Sequence, residues 1–202
     1  MVELKSRIDA PERSPAVILC AEMRGFTRMS EMLDPGVVLM QVSRFFELVT
    51  AAVDKKEGLI ASLLNDTVVA IFTGQDDARN AVEAAQEIQR EFAAFHDALE
   101  RDCGMHTAVA IGLHCGDVVA GYVDGPNVDQ LLIVGDCVSV TQRLMHRARA
   151  GEYLLSQILM DLLAETGFAL DAEELPKMEI RNREPVRIFG VVLDTRLDFT
   201  QT

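Results

Sequence analysis

Val17-Ile18-Leu19-Cys20-Ala21-Glu22-Met23-Arg24-Gly25-Phe26-Thr27 decides how this chain is read. Five apolar residues run into a carboxylate, then a glycine, then Phe-Thr at the head of a helical pattern. A run this short, rich in Val, Ile and Leu, predicts an inner strand of a sheet covered on both faces. Glu22 falls at the strand's C-terminal end, where a carboxylate shielded from water needs a cation, a donor or water. Gly25 lets the backbone turn tightly and approach a ligand. The amides of Phe26 and Thr27 open the next helix, where free N–H groups favour an anion. A carboxylate for metal beside amides for phosphate suggests a metal–nucleotide site. Taken by itself, the stretch is more simply an ordinary strand-to-helix turn with a solvated Glu.

Working outward, the first strand is expected over residues 16–22, with residues 1–15 a polar tail or linker remnant carrying Pro11 and Pro15. A short helix follows over Thr27–Met32. Asp34-Pro35 supplies an N-cap and a proline at the first helical position. The helix after it carries Val38, Val42, Phe45, Phe46, Val49 and Val53 on one stripe and ends by Gly58. Leu59–Leu64 and Thr67–Phe72 flank Asn65-Asp66, a tight hairpin. If that hairpin lies beside the first strand, Asp66 and Glu22 converge. Asp77 opens a long amphipathic helix to about residue 100.

Thr107–Gly112 begins another strand, and Val118–Val134 reads as a long hairpin turning at Asp124-Gly125-Pro126-Asn127. Asp136 is the expected N-cap of a helix running to about Ala150, on which Ser139 and Arg143 are four apart and share a face. A strand at Tyr153–Ser156, a helix at Gln157–Glu165 and a last hairpin of Met178–Ile180 with Val186–Val192 complete the chain, leaving 193–202 as a C-terminal tail. The order β-α-α-β-β-α-β-β-α-β predicts an α/β (α+β) sandwich, a mixed and mostly antiparallel sheet with helices packed on it.

With 202 residues and 49% hydrophobic content, the chain is long and apolar enough for one large folded domain. Its net charge of −13 argues against nucleic acid and acidic membrane surfaces as partners. No apolar run is read as a membrane span, and the opening Met1-Val2-Glu3-Leu4-Lys5 does not read as a signal peptide, so a cytoplasmic setting is expected. Cys20, Cys103, Cys115 and Cys137 lack CxxC spacing and are expected to be reduced, mostly packed thiols. His106 and His114 share strand parity; packed or surface histidine is the simpler reading than a metal role.

Several segments, in order and at matching spacing, resemble the catalytic domain of class III adenylate/guanylate cyclases. They are Met23-Arg24-Gly25-Phe26-Thr27-Arg28-Met29-Ser30-Glu31, Asp66-Thr67-Val68-Val69-Ala70-Ile71-Phe72, Ile111 through Gly121, and Gly135-Asp136-Cys137-Val138 followed by Arg143-Leu144. The resemblance covers about residues 15–192 and implies the ferredoxin-like fold of that family over a domain of residues 16–192. It further implies a head-to-tail homodimer with nucleoside triphosphate sites across the interface. There, two carboxylates hold two divalent ions (Mg²⁺ or Mn²⁺), and an Asn and an Arg from the other protomer steady the transition state.

Carried over position by position, the metal carboxylates fall on Glu22, where the family has Asp, and on Asp66, which is retained. The base-facing positions fall on Ser62 and Leu132, the transition-state Asn on Ser139, and the Arg on Arg143. A basic residue for the triphosphate falls on Arg181 or Arg183. The longer Glu22 displaces its oxygens by roughly an ångström, and a misplacement of that order costs ~100-fold in rate. Ser62 and Leu132 lack the polar partners that discriminate purines. These departures lead to the expectation of a degenerate, pseudocyclase-type domain acting as a nucleotide- or metal-binding regulatory module in bacterial-style signalling, with a regulatory protein partner. The alternatives are a divergent active cyclase of altered base preference, and a protein-interaction scaffold without ligand.

Overall fold

The structure is a computed structural model that describes residues 13–125, 128–181 and 183–192. Its elements in chain order are β1 (Arg13–Arg24), α1 (Phe26–Met32), α2 (Pro35–Lys55), β2 (Leu59–Leu64), β3 (Thr67–Phe72), α3 (Asp77–Cys103), β4 (Ala108–Gly125), β5 (Val128–Val134), α4 (Asp136–Arg147), β6 (Glu152–Ser156), α5 (Gln157–Glu165), β7 (Glu173–Met178) and β8 (Val186–Val192). The strands form one sheet in the order β2-β3-β1-β4-β6-β8-β7, with β5 paired to the far half of β4. Only β4 and β6 run parallel among the described pairs, so the sheet is mixed and mostly antiparallel, as the sequence predicts.

β1 is the inner strand that its apolar run demands. Ala16 through Ala21 are all buried, because β3 and β4 flank the strand and both its faces are covered. Val17, Leu19, Ala21 and Met23 face a layer made by α1, α2, α3 and α5, where Phe45, Val49, Ile88 and Phe92 fill the core. Ile18 and Cys20 face the other way, beneath Cys137 and Met145 of α4 and Leu131 of β5. Val140 and Leu144 of α4 continue that second layer over Leu154 and Ile188. Burying about thirty apolar side chains between sheet and helices is the main driving force for the fold.

α4 sits on the sheet with almost nothing between them. A Cβ added to Gly112 would stand 2.4 Å from the Thr141 carbonyl oxygen and 2.5 Å from the Met145 nitrogen. At the helix's entry, a Cβ on Gly135 would stand 2.6 Å from the Asp117 carbonyl oxygen. Glycine at both places lets backbone meet backbone.

Several local expectations are corrected. β1 begins at Arg13, whose neighbours Ser14 and Pro15 pair with Val118 and Asp117, so the strand is longer at both ends than residues 16–22. The expected strand at Thr107–Gly112 and the first arm of the expected hairpin are one 18-residue strand, β4. Gly116 does not break it, because that glycine makes room for Cys137, whose Cβ would lie 3.0 Å from an added methyl. The N-cap of α4 is Gly135, since the Asp136 carboxylate is drawn to Arg183 instead. The strand before β8 is Glu173–Met178, an edge strand that tolerates Pro176 at a bulge. α2 is long and apolar enough, by length and composition, to cross a membrane, but Val42, Phe45, Val49 and Val53 pack it into the core. Its Asp34 cap is as expected, accepting from the Gly36 amide at 2.8 Å. The four cysteines are free thiols, with Cys20 and Cys137 buried. Burial pushes the Cys20 thiol up to about 12, so it stays protonated and inert.

Candidate active site

Glu22 and Asp66 are brought together by the hairpin. Glu22 pairs with Thr67 across β1 and β3, and the Met23 amide donates to the Asp66 carbonyl at 2.9 Å. Asn65 takes the left-handed conformation that the two-residue turn requires. The Asp66 carboxylate is half-buried, and its one hydrogen bond among the described residues is a 3.4 Å contact from the Thr67 hydroxyl.

Glu22 is in a different state. Residues two apart on a strand share a face, so Arg24 stands beside it, and the Arg24 guanidinium is ion-paired to Glu22 Oε2. The other guanidinium nitrogen donates to the carbonyls of Met145 (2.9 Å), His146 (3.2 Å) and Ala148 (3.1 Å). These carbonyls lie at the C-terminal end of α4, where a cation is favoured both as donor and by the helix dipole; the Met145 carbonyl also accepts from the Ala148 amide at 3.2 Å. His146 Nε2 lies 3.9 Å from the second Glu22 oxygen. Only 16% of the Glu22 side chain remains exposed. Sequence reasoning missed Arg24; its only signal was the two-residue spacing from Glu22.

Divalent-ion chemistry of the two-ion kind needs both carboxylates at the ions. Asp66 fits that requirement. Glu22 does not, because a guanidinium already occupies one of its oxygens and neutralises its charge, which competes directly with a dication. The residues present therefore do not fit a two-ion centre as they stand.

The turn between β1 and α1 is as tight as the sequence suggests. Gly25 has φ of 90°, and a Cβ there would meet the His106 carbonyl oxygen at 2.9 Å. The first helical bond runs from the Met29 amide to the Gly25 carbonyl, so the amides of Phe26 and Thr27 precede the hydrogen-bonded ladder. Phe26 is partly buried against the core, and Thr27 is exposed.

The remaining positions lie elsewhere. Ser139 and Arg143 point to solvent from the outer face of α4, and Arg143 has no ion pair among the described residues. Ser62 sits half-buried at a bulge in β2, and Leu132 is 45% exposed on β5, with β2 and β5 in contact. Arg181 is exposed, whereas Arg183 donates to Asp136 at 2.6 Å at the start of α4. A cleft of about 430 Å³ opens beside that pair, lined by Arg13, His114, Asp117, Asp136 and Arg183 among others. Its charges answer one another, since Arg13 also pairs with Asp117 at 2.9 Å. Glu22 pairs with Ala110, and the cleft is lined from His114 to Val119, four to nine residues along β4, which puts it roughly 13 to 30 Å from Glu22. The His114 ring is buried and shares a 2.6 Å hydrogen bond with Ser156 Oγ, the N-cap of α5, and it belongs to no metal-type cluster among the described residues.

Comparison with known proteins agrees with this architecture. The pattern of the adenylate and guanylate cyclase catalytic domain matches residues 8–192. An adenylate cyclase of Anabaena cylindrica is 29% identical over 140 residues, which are 67% of this chain and 27% of that protein. Adenylate cyclase 1 of Rhizobium meliloti is 28% identical over 137 residues, 65% of this chain and 20% of its own length. The chain thus spans about a quarter of the length of these curated relatives. Among solved structures, the adenylyl cyclase CyaB from P. aeruginosa superposes with a TM-score of 0.82 at 20% identity, over 92% of this chain and 97% of that one. The guanylyl cyclase Cya2 gives 0.79 at 23% identity, over 93% and 98%. With the sheet order, the β1–α1 turn and the Glu22–Asp66 juxtaposition, the match over nearly the whole described chain means that this protein belongs to the adenylate and guanylate cyclase catalytic domain family.

Proposed function

We propose that this chain is a cyclase-homology module whose nucleotide site serves binding or regulation rather than turnover. The observation that carries the reading is the Glu22–Arg24 ion pair, anchored to three α4 carbonyls. A carboxylate fixed in that way gives a dication little purchase. Ser139 in place of Asn and Leu132 at a base-facing position support the same conclusion. Asp66 holds a single Mg²⁺ or Mn²⁺ that accompanies a nucleoside triphosphate, with the Phe26 and Thr27 amides and Arg181 or Arg183 as phosphate contacts.

The module works as a head-to-tail homodimer, in which Ser139 and Arg143 of a second copy face Glu22 and Asp66. Exposed apolar side chains on the β2 and β5 side, Leu64 at 66% and Leu132 among them, support a covered surface there. One solved structure of the same fold is described as a non-canonical dimeric guanylyl cyclase domain, which supports pairing of two copies and not its head-to-tail form. The setting is cytoplasmic, with a regulatory protein partner.

The second reading is a divergent cyclase that converts a nucleoside triphosphate to a cyclic nucleotide and pyrophosphate. The availability of Asp66 and Arg143, neither held in an ion pair among the described residues, favours it. Mass spectrometry of products from ATP, GTP, CTP and UTP, with Mg²⁺ and then Mn²⁺, separates the two. The expected result is no cyclic product, together with a nucleotide-dependent thermal shift that Asp66→Ala abolishes. A cyclic product lost in Asp66→Ala overturns the proposal in favour of the enzyme, and indifference to every nucleotide and ion overturns it in favour of a scaffold.

A further inference from the structure

His96, Glu100 and His106 converge on one point at the end of α3. His96 and Glu100 are one helical turn apart and share a face of that helix. His106 arrives from the connection to β4. One ligand atom from each lies within 4.8 Å of the other two, with His96 Nε2 3.6 Å from Glu100 and His106 Nδ1 3.8 Å from Glu100. Two of the chain's four histidines therefore meet at one carboxylate.

The tautomer of His96 is set by its neighbour. His96 is buried, and its Nδ1 lies 2.7 Å from the Thr107 carbonyl oxygen. Only an N–H makes that contact favourable, so Nδ1 donates to Thr107, and Nε2 is the ring nitrogen that faces Glu100. The Thr107 amide also approaches Nδ1, but at 3.5 Å, and the shorter contact decides. A histidine that donates one ring N–H to a backbone carbonyl while offering the other nitrogen is arranged as metal ligands are.

We propose that His96 Nε2, Glu100 and His106 Nδ1 bind a divalent transition-metal ion of the zinc class. Two imidazoles and one carboxylate suit Zn²⁺, Co²⁺ or Ni²⁺, whereas Mg²⁺ and Ca²⁺ take oxygen ligands. Ligands at tetrahedral Zn²⁺ stand roughly 3.3 Å apart, so the three atoms, which lie within 4.8 Å of one another, must draw together by up to roughly 1.5 Å. His106 and Glu100 supply that closure by side-chain rotation, since 56% and 51% of those side chains are exposed. Three protein ligands leave one position for water. The ion would tie the last turn of α3 to the start of β4. That segment carries the His106 carbonyl against which Gly25 is seated, and the Thr107 hydroxyl that donates to the Arg24 carbonyl at 2.8 Å. The site is separate from Glu22 and Asp66 and does not depend on how that site is used.

Chelator-treated protein is titrated with Co²⁺, followed by visible absorbance and by calorimetry, and then with competing Zn²⁺. Wild type and Asp66→Asn are expected to bind one ion with the same affinity and to show d–d bands without thiolate charge transfer. Glu100→Gln and His106→Ala change exposed side chains, and circular dichroism checks that they fold; each should weaken binding at least about tenfold. Zn²⁺ should raise the melting temperature of wild type and leave that of His106→Ala unchanged. Equal Co²⁺ affinity in wild type and His106→Ala, a thiolate band, or no binding by wild type overturns the proposal.

Discussion

At the turn end of β1, Glu22 is held by Arg24, and Arg24 by three carbonyls of α4. On the outer face of that same helix, Ser139 and Arg143 stand in solvent. The two halves of the candidate site are thus only a helix apart within one chain, yet one has been drawn into the fold and the other has not. The difference lies in which charges have found partners. Arg24 satisfies helix-end carbonyls and a partly buried carboxylate at once, so it stabilises the fold. Arg143 does no structural work among the described residues, so its presence is open to explanation by something outside the chain.

The most drastic way to break this comparison is at the shared backing. Gly112→Val places side-chain atoms where α4 backbone already is, and should cost about 3 kcal/mol or more in denaturant unfolding, unseating both halves together. Arg24→Ala acts on the inward half alone. It removes the donor of Glu22 and of the His146 and Ala148 carbonyls and one of the two donors to Met145, and should lower stability by about 2 kcal/mol. The same variant should tighten Mn²⁺ binding, measured by electron paramagnetic resonance, because Glu22 becomes available beside Asp66; unchanged Mn²⁺ affinity would show that Arg24 is not the competitor.

A third test uses pH at the other end of α4. Burial, reinforced by Arg183 and opposed by Asp136, holds the His114 imidazolium down to about 4 from 6.5. The folded state keeps the ring neutral while the unfolded chain takes up a proton. This contribution is therefore fully present above pH 6.5 and is lost as pH falls towards 4. Its size is on the order of 2 kcal/mol, read as the pH slope of the unfolding free energy. His114→Gln should flatten that slope. The smallest effect is expected at the outward half: Arg143→Ala should change stability by less than about 0.5 kcal/mol. A nucleotide-induced thermal shift should nonetheless shrink in this variant, and a large loss of stability instead would give Arg143 the structural role that the comparison denies it.

What could be read from the sequence was whatever leaves a local pattern. The Asp34-Pro35 cap, the Asn65-Asp66 turn and the apolar run of β1 each follow from residues within a few positions of one another; the pairing of β1 with β3 that puts Asp66 beside Glu22 does not, and enters the sequence reading only as a condition. The link from Arg24 to Met145 spans 121 residues and leaves no periodic trace. The His96–Glu100–His106 cluster was half visible, since His106 drew notice, but its partner sits on a helix and not on the strand with His114. Gly116 falls between the two segments read as separate strands and is a seat for Cys137 within one strand. A glycine that relieves a contact and a glycine that ends a strand look the same until the neighbour is known.

The bare seat under α4 has a mechanical meaning. Side chains between a helix and a sheet act as a compressible layer over which the helix can slip. At Gly112 and Gly135 that layer is missing, and a shift of even an ångström drives backbone into backbone. α4 and β4 therefore behave as one stiff plate. Motion of the 18-residue strand is passed to the helix that carries Ser139 and Arg143 chiefly at those two backbone contacts.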